Sequence, residues 1–330
     1  MINVREKMDT WNQETYEEFV RNHYDKKIAE AAISVFDELQ ITDKKMNGSS
    51  CEKLPKAEEG TIGLKTTFSE FFHRETENSL FSPASYLVSI LVEAQNRNIS
   101  RSKYAGILSR GLRSFTSFLR EPDLAIQLDD LLKNRISAYS ISLNPKQDSK
   151  DHTDILIQTD NLLFRLWLYQ FSSRGLPHDI ERLTEKRGKL PAGIHILCPL
   201  CTQVANDYQE QKDSLLKLED RIIRKKDKLE HCGAKAFKAK SKLSDEIENL
   251  LEEKKQKQYS VDLLKSKKED ELTEIHSWFL YSESNAKRIA EIIINTINNQ
   301  QRIDTYDHVY NMLTAAEKYI GSNSIFLKEM

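Results

Sequence analysis

Cys198-Pro199-Leu200-Cys201 is a CxxC pair, and His231-Cys232 further along offers a second nitrogen and sulfur set, together the donor types of a four-coordinate zinc site. Spacing opposes that site, because one continuous helix over 202–230 would hold the two pairs about 45 Å apart. Only a break in the helix or a second chain would bring them together. A second chemistry lies in the stretch from Arg221 to Lys242, where Arg221, Arg224, Lys225, Lys226, Lys228, Lys235, Lys238, Lys240 and Lys242 face only Asp227 and Glu230 before Ser244. Such a cluster suits nucleic-acid phosphates or an acidic partner, and it equally suits the solvated face of a coiled coil. Phe237 alone interleaves it, so base stacking is not expected there. Arg174-Gly175 and Arg187-Gly188-Lys189 place cations beside glycines, as an anion-binding turn requires and as ordinary helix caps also do. His152 and His178 flank the same region and read as loop histidines, with a ligand or base role as the alternative.

The elements that must position these groups are mostly helical. In 330 residues there are only 10 Gly and 7 Pro, with 39% hydrophobic and 30% charged residues, so breakers are scarce and part of the chain is solvent-rich. Lys+Arg 49 against Asp+Glu 51 excludes a polyanion-binding arm visible in the total charge of -2. Phosphate-loop, dinucleotide, HExxH and GxSxG motifs are missing, which argues against an ATPase or dinucleotide enzyme. Four dispersed cysteines and an N-terminus without an apolar signal core give the expectation of a reducing, cytoplasmic setting, and no apolar run is long enough for a membrane span.

Apolar residues at three- and four-residue intervals predict an amphipathic helix over 9–39, and a polar stretch over 42–60 reads as a linker. Ser82-Pro83 and Glu121-Pro122 look like helix starts. From Ser137 the period becomes strand-like: 137–143, 154–158 and 162–171 are three strands, the last two joined by a turn at Asp160-Asn161. A helix over 177–189 and an apolar strand over 193–200 complete the only clear β signal. Tyr208, Leu215, Ile222 and Leu229, with Leu218, then fall on a heptad, and Leu243, Ile247, Leu250 and Leu251 continue after His231-Cys232-Gly233. The arm leaves the body near Cys201 and returns near Trp278 as a helical hairpin, before a last helix carrying Ile289, Ile293 and Ile297.

This order, with Asp154 opening the second strand, resembles the restriction-endonuclease-like core of the PD-(D/E)xK nucleases over about Pro122 to Leu200. The resemblance implies a metal-binding Asp at the head of the second strand, Asp154, and an acid-x-Lys triplet on the third, which hold Mg²⁺ or Mn²⁺ and orient a water. The triplet is departed: Arg165 to Gln170 reads RLWLYQ. Leu168-Tyr169-Gln170 or Trp167-Leu168-Tyr169 stands where the acid and Lys belong, and Glu181, Glu185 and Lys186 are the displaced groups that could replace them. Arg165, Arg174, Arg187, Lys189, Arg224, Lys225, Lys226 and Lys228 are then the backbone-binding cations. CPLC also resembles the zinc hook at the tip of long coiled coils, where two chains share one ion.

The fold class expected is α+β, mostly helical: a helical N-terminal part, a small mixed-sheet endonuclease-like core and a long charged coiled-coil arm. The divisions are an N-terminal helix over 1–41, a linker over 42–66, helices running into the core over 67–201, the arm over 202–277 and C-terminal helices over 278–330. Two functions compete. One, which the resemblance implies, is a metal-dependent nuclease or nuclease-derived subunit of a prokaryotic antiviral defence or DNA-processing complex. The other is a non-catalytic coiled-coil adaptor that binds nucleic acid, a partner ATPase or a second copy of itself. No membrane partner is expected in either, and Asp154→Ala is expected to leave folding almost intact.

Overall fold

The computed structural model describes residues 4–9, 16–38, 67–68, 71, 82–143, 153–171, 193–233, 237–275 and 278–299. Three helices open the chain, α1 (Val4–Asp9), α2 (Tyr16–His23) and α3 (Lys26–Glu38), in place of the single helix expected over 9–39. Asp25 explains the break before α3: its Oδ1 accepts from the amides of Lys27 and Ile28, both at 3.0 Å, and so caps a new helix. The start expected at Ser82-Pro83 is present as α4 (Pro83–Asn96), where Ser82 and Ser85 form a capping box.

The start expected at Glu121-Pro122 is not a start. Helix α5 (Tyr104–Leu132) runs unbroken through Pro122. An internal proline forfeits one helical bond at about 3 kcal/mol. Burial on either side of it offsets that cost, because Leu108, Phe115 and Leu119 pack in one core and Leu124, Ala125, Leu128 and Leu132 in another. The first core joins α5 to α1–α4 and contains the ring set Phe68, Phe71, Tyr86 and Phe115, with Tyr86 and Phe115 stacked at 5.2 Å. The second joins α5 to the sheet and to the last helix.

The four expected strands form one sheet in the order β1 (Tyr139–Ser142), β2 (Ile155–Thr159), β3 (Leu163–Phe171), β4 (Ile194–Cys201). The first three make an antiparallel meander, and β4 returns parallel to β3, with Arg165 level with His195 and Leu168 level with Cys198. The β2–β3 turn closes by Thr159 N donating to Leu162 O at 2.9 Å. Alternation sends Ile155, Ile157, Phe164, Leu166, Ile196, Cys198 and Leu200 to the α5 side. Arg165, Trp167 and His195 take the other face, where Arg165 and His195 are buried and Trp167 meets His195 edge-on at 5.4 Å. The helix expected over 177–189 lies outside the described residues.

Two long helices follow, α6 (Gln203–Glu230) and α7 (Phe237–Glu271). They pair antiparallel: Leu218, Ile222 and Leu250 pack between them, Lys254 bridges to Glu219 at 2.8 Å, Lys257 donates to Ser214 at 3.0 Å, and Lys225 pairs with Glu246. Sequence reading missed what comes next, a second sheet of β5 (Leu272–Ile275) and β6 (Trp278–Tyr281), ahead of α8 (Glu283–Asn299). The apolar run WFLY was legible as a globular contact, yet four-residue strands give too short a period to recognise.

The hairpin is rooted where α7 meets α8. Glu271, buried, accepts from Arg288 Nη2 at 2.9 Å, while Ser282 N donates to Glu271 O at 3.2 Å. Burial pushes the Glu271 carboxyl up to about 7 against the pull of Arg288, from an ordinary 4.5. A carboxyl raised in the folded state stabilises fully below its unfolded value and less as pH rises through the folded one. Stability is therefore expected to fall by up to about 3 kcal/mol between about pH 4.5 and 7. Chemical denaturation across that range should show this fall, and Glu271→Gln should flatten it.

Gly193 enters β4 at φ 135°, and a Cβ there would lie 2.9 Å from Leu163 O and 3.3 Å from Arg165 Nε. Gly193→Ala is expected to cost about 1–3 kcal/mol, measurable as a lowered midpoint in urea.

Candidate functional site

Asp154 stands at the head of β2, half-buried, and is part of the β2–β3 ladder. Its amide donates to Leu166 O at 3.0 Å, and its carboxylate Oδ2 accepts from Leu168 N at 2.7 Å. A charged acceptor on a backbone amide is among the stronger protein hydrogen bonds. The carboxylate thus ties the start of β2 to β3 at the open end of the hairpin.

Behind Asp154 lies a buried polar centre around Tyr281 of β6. The Tyr281 hydroxyl donates to Cys198 O at 2.7 Å, and its carbonyl accepts from Arg5 Nη2 at 2.6 Å. Arg5 also holds Asp123 of α5 through Nε at 2.7 Å and Nη2 at 3.0 Å, and Arg120 Nε donates to Phe279 O at 2.8 Å. Burial raises the Tyr281 phenol well above its ordinary range; Cys198 adds to this, Arg120 opposes it, and the charges of Asp154 and Glu121 add further. Burial raises the Asp123 carboxyl as well, although Arg5 pulls it down. It also lowers the Arg120 guanidinium to about 10. Asp154 and Glu121 therefore act on one phenol from β2 and α5. Sequence reading missed Glu121 as a member of this centre because its place before Pro122 read as a cap.

One Asp154 oxygen is engaged by Leu168 N, and among the described residues no group of three or more His, Cys, Asp or Glu side chains stands close enough to share an ion. Glu181, Glu185, Lys186, His178, Arg174, Arg187, Lys189 and His152 lie outside the described residues, and Gln170 is described as a β3 backbone position only.

The zinc set is separated by the fold. Cys198 packs on the α5 face of β4 with Ile196 and Leu200, and Cys201, at an odd spacing, faces the other way. His231 and Cys232 lie past the far end of α6, whose 28 residues span about 42 Å. Burial first, and then Asp154, push the Cys198 thiol well up, which disfavours thiolate chemistry.

The proposed backbone-binding cations divide. Arg165 is buried, with Nη1 donating to Thr153 Oγ1 at 3.3 Å. Lys225 is tied to Glu246. Arg224, Lys226 and Lys228 are exposed on α6. With Lys217 and Arg221, also exposed, Arg224 and Lys228 recur at i, i+4, i+7 and i+11, which places four cations on one helix face over about 16 Å. None of the four carries an ion pair among the described residues. Lys217 was overlooked in the sequence because it lies before the dense cluster and is reached only by helical spacing.

No protein-family model matches the sequence, and no curated protein or solved structure matches it. No described helix is long and apolar enough to cross a membrane.

The ladder bond corrects the expectation that Asp154→Ala leaves folding intact. Alanine strands the Leu168 amide at a cost of about 1–3 kcal/mol, whereas Asp154→Asn keeps an acceptor. Thermal unfolding should rank the proteins wild type, Asp154→Asn, Asp154→Ala in falling stability.

Proposed function

We propose that this chain is a nucleic-acid-directed, nuclease-derived subunit of a prokaryotic defence or DNA-processing complex, whose sheet acts as a scaffold and whose helical arm carries the binding surface. The four-cation face of α6 is the observation that carries the reading. Lys217, Arg221, Arg224 and Lys228 form a straight row of exposed charge, set apart from the lysines that the hairpin consumes in its own ion pairs. A row of this kind fits a phosphate backbone, displaces counterions and reads no sequence.

The scaffold half of the reading is supported by the strand arrangement, a meander followed by a parallel strand, and by Asp154 at the head of β2. Its carboxylate accepts from the Leu168 amide. Loss of the acid-x-Lys triplet with retention of Asp154 follows if the aspartate earns its place by closing the hairpin.

Fluorescence anisotropy with a short DNA duplex and an RNA of the same length tests this. Binding should fall with salt at a slope of about −3 to −4 in log K against log salt. Arg221→Glu with Arg224→Glu should reduce the magnitude of that slope by about 2 without lowering helicity. Neither substrate should be cut in Mg²⁺ or Mn²⁺. Metal-dependent cleavage abolished by Asp154→Asn would overturn the scaffold, and binding indifferent to the double reversal would overturn the interface.

A further inference from the structure

Helix α6 has three distinct faces. Leu215, Leu218 and Ile222 face α7, the cation row takes a second, and Leu216 and Ile223 take a third, about 120° from each of the others. Leu216 is 52% exposed and Ile223 56%, although a seven-residue spacing stacks them on one line. They flank Glu219, three residues before it and four after, and Leu251, 37% exposed, lies three residues before Lys254 on α7. Because Glu219 and Lys254 are paired at 2.8 Å, the three apolar side chains form one patch around that ion pair.

The charge along α6 indicates what covers the patch. Residues 203–220 carry five acids (Asp207, Glu210, Asp213, Glu219, Asp220) against Lys212 and Lys217, while residues 221–230 carry five cations against Asp227 and Glu230. The helix is thus acidic toward the body and basic toward the tip, with the change falling between Asp220 and Arg221. A helix divided in this way is complementary to its own reverse.

We propose that two copies of the chain associate through this face, with their α6 helices antiparallel about an axis between Glu219 and Asp220. Leu216 of one copy then meets Ile223 of the other, and the reverse contact follows by symmetry. The same register sets Asp213 against Lys226 and Lys212 against Asp227 of the second copy. Leu251 lies near the axis and widens the patch to α7, so that two hairpins make a four-helix bundle. The cation rows remain outside, one on each flank, so the association does not rest on nucleic-acid binding. The patch is small, which places the dimer among weak, concentration-dependent interfaces. Its electrostatic part weakens as salt rises.

Sedimentation velocity on the full chain, freed of nucleic acid, tests the proposal over a range of concentration at low and high salt. A monomer–dimer equilibrium is expected, shifted toward monomer by salt and abolished by Leu216→Glu with Ile223→Glu while circular dichroism stays unchanged. Asp220→Asn, which removes like charge near the axis, should strengthen it. The register is read by cysteine cross-linking in a Cys232→Ser background. A mixture of Leu216→Cys and Ile223→Cys chains should form the mixed disulfide, whereas either variant alone should not, because identical positions lie about 10 Å apart along the axis. A monomer at every concentration, or a dimer indifferent to the double glutamate variant, would overturn the proposal. Efficient cross-linking of either variant alone would overturn the antiparallel register.

Discussion

Tyr281 is the point on which the architecture turns. The arm leaves the sheet at the end of β4 and returns through β6, and a helical excursion of 28 and 35 residues exerts leverage on both feet. One residue ties the feet together: the phenol of Tyr281 on β6 bonds the carbonyl of Cys198 on β4, and its own carbonyl is held by Arg5, which is locked to Asp123 of α5. Each of these groups is costly to bury alone and is buried in company. The two feet of the arm are therefore held to the body by buried hydrogen bonds.

The residue spacing of α6 gives the arm its character as a surface, because it sets one stripe of cations and one of apolar residues on separate faces. The ion pairs Lys225–Glu246 and Lys254–Glu219 join α6 to α7. In the sheet, Asp154 holds Leu168 N, Arg165 holds Thr153, and Tyr281 holds the carbonyl of Cys198.

Much of this was legible in residue spacing. The alternation of ILIQ and LFRLWLYQF set β2, β3 and their turn, and the Ser82-Pro83 dipeptide set the start of α4, because both signals are local. The heptad of Leu215 and Ile222 marked the face that packs on α7. What escaped was decided at long range. Pro122 reads as a helix start until the two cores on either side of it are seen, and Glu121 reads as a cap until β6 folds back across α5. The place of Asp154 at the head of β2 was legible, but its bond to Leu168 N depends on strand register, which sequence period does not specify.

Lysine footprinting tests the central claim, that the arm and not the sheet meets nucleic acid. The full chain would be acetylated briefly with and without a saturating DNA duplex, and the modified lysines read by mass spectrometry. Protection concentrated at Lys217 and Lys228, with Lys255 and Lys265 on α7 unchanged, is the result this account predicts. Protection spread evenly over all exposed lysines, or confined to lysines outside α6, would contradict it.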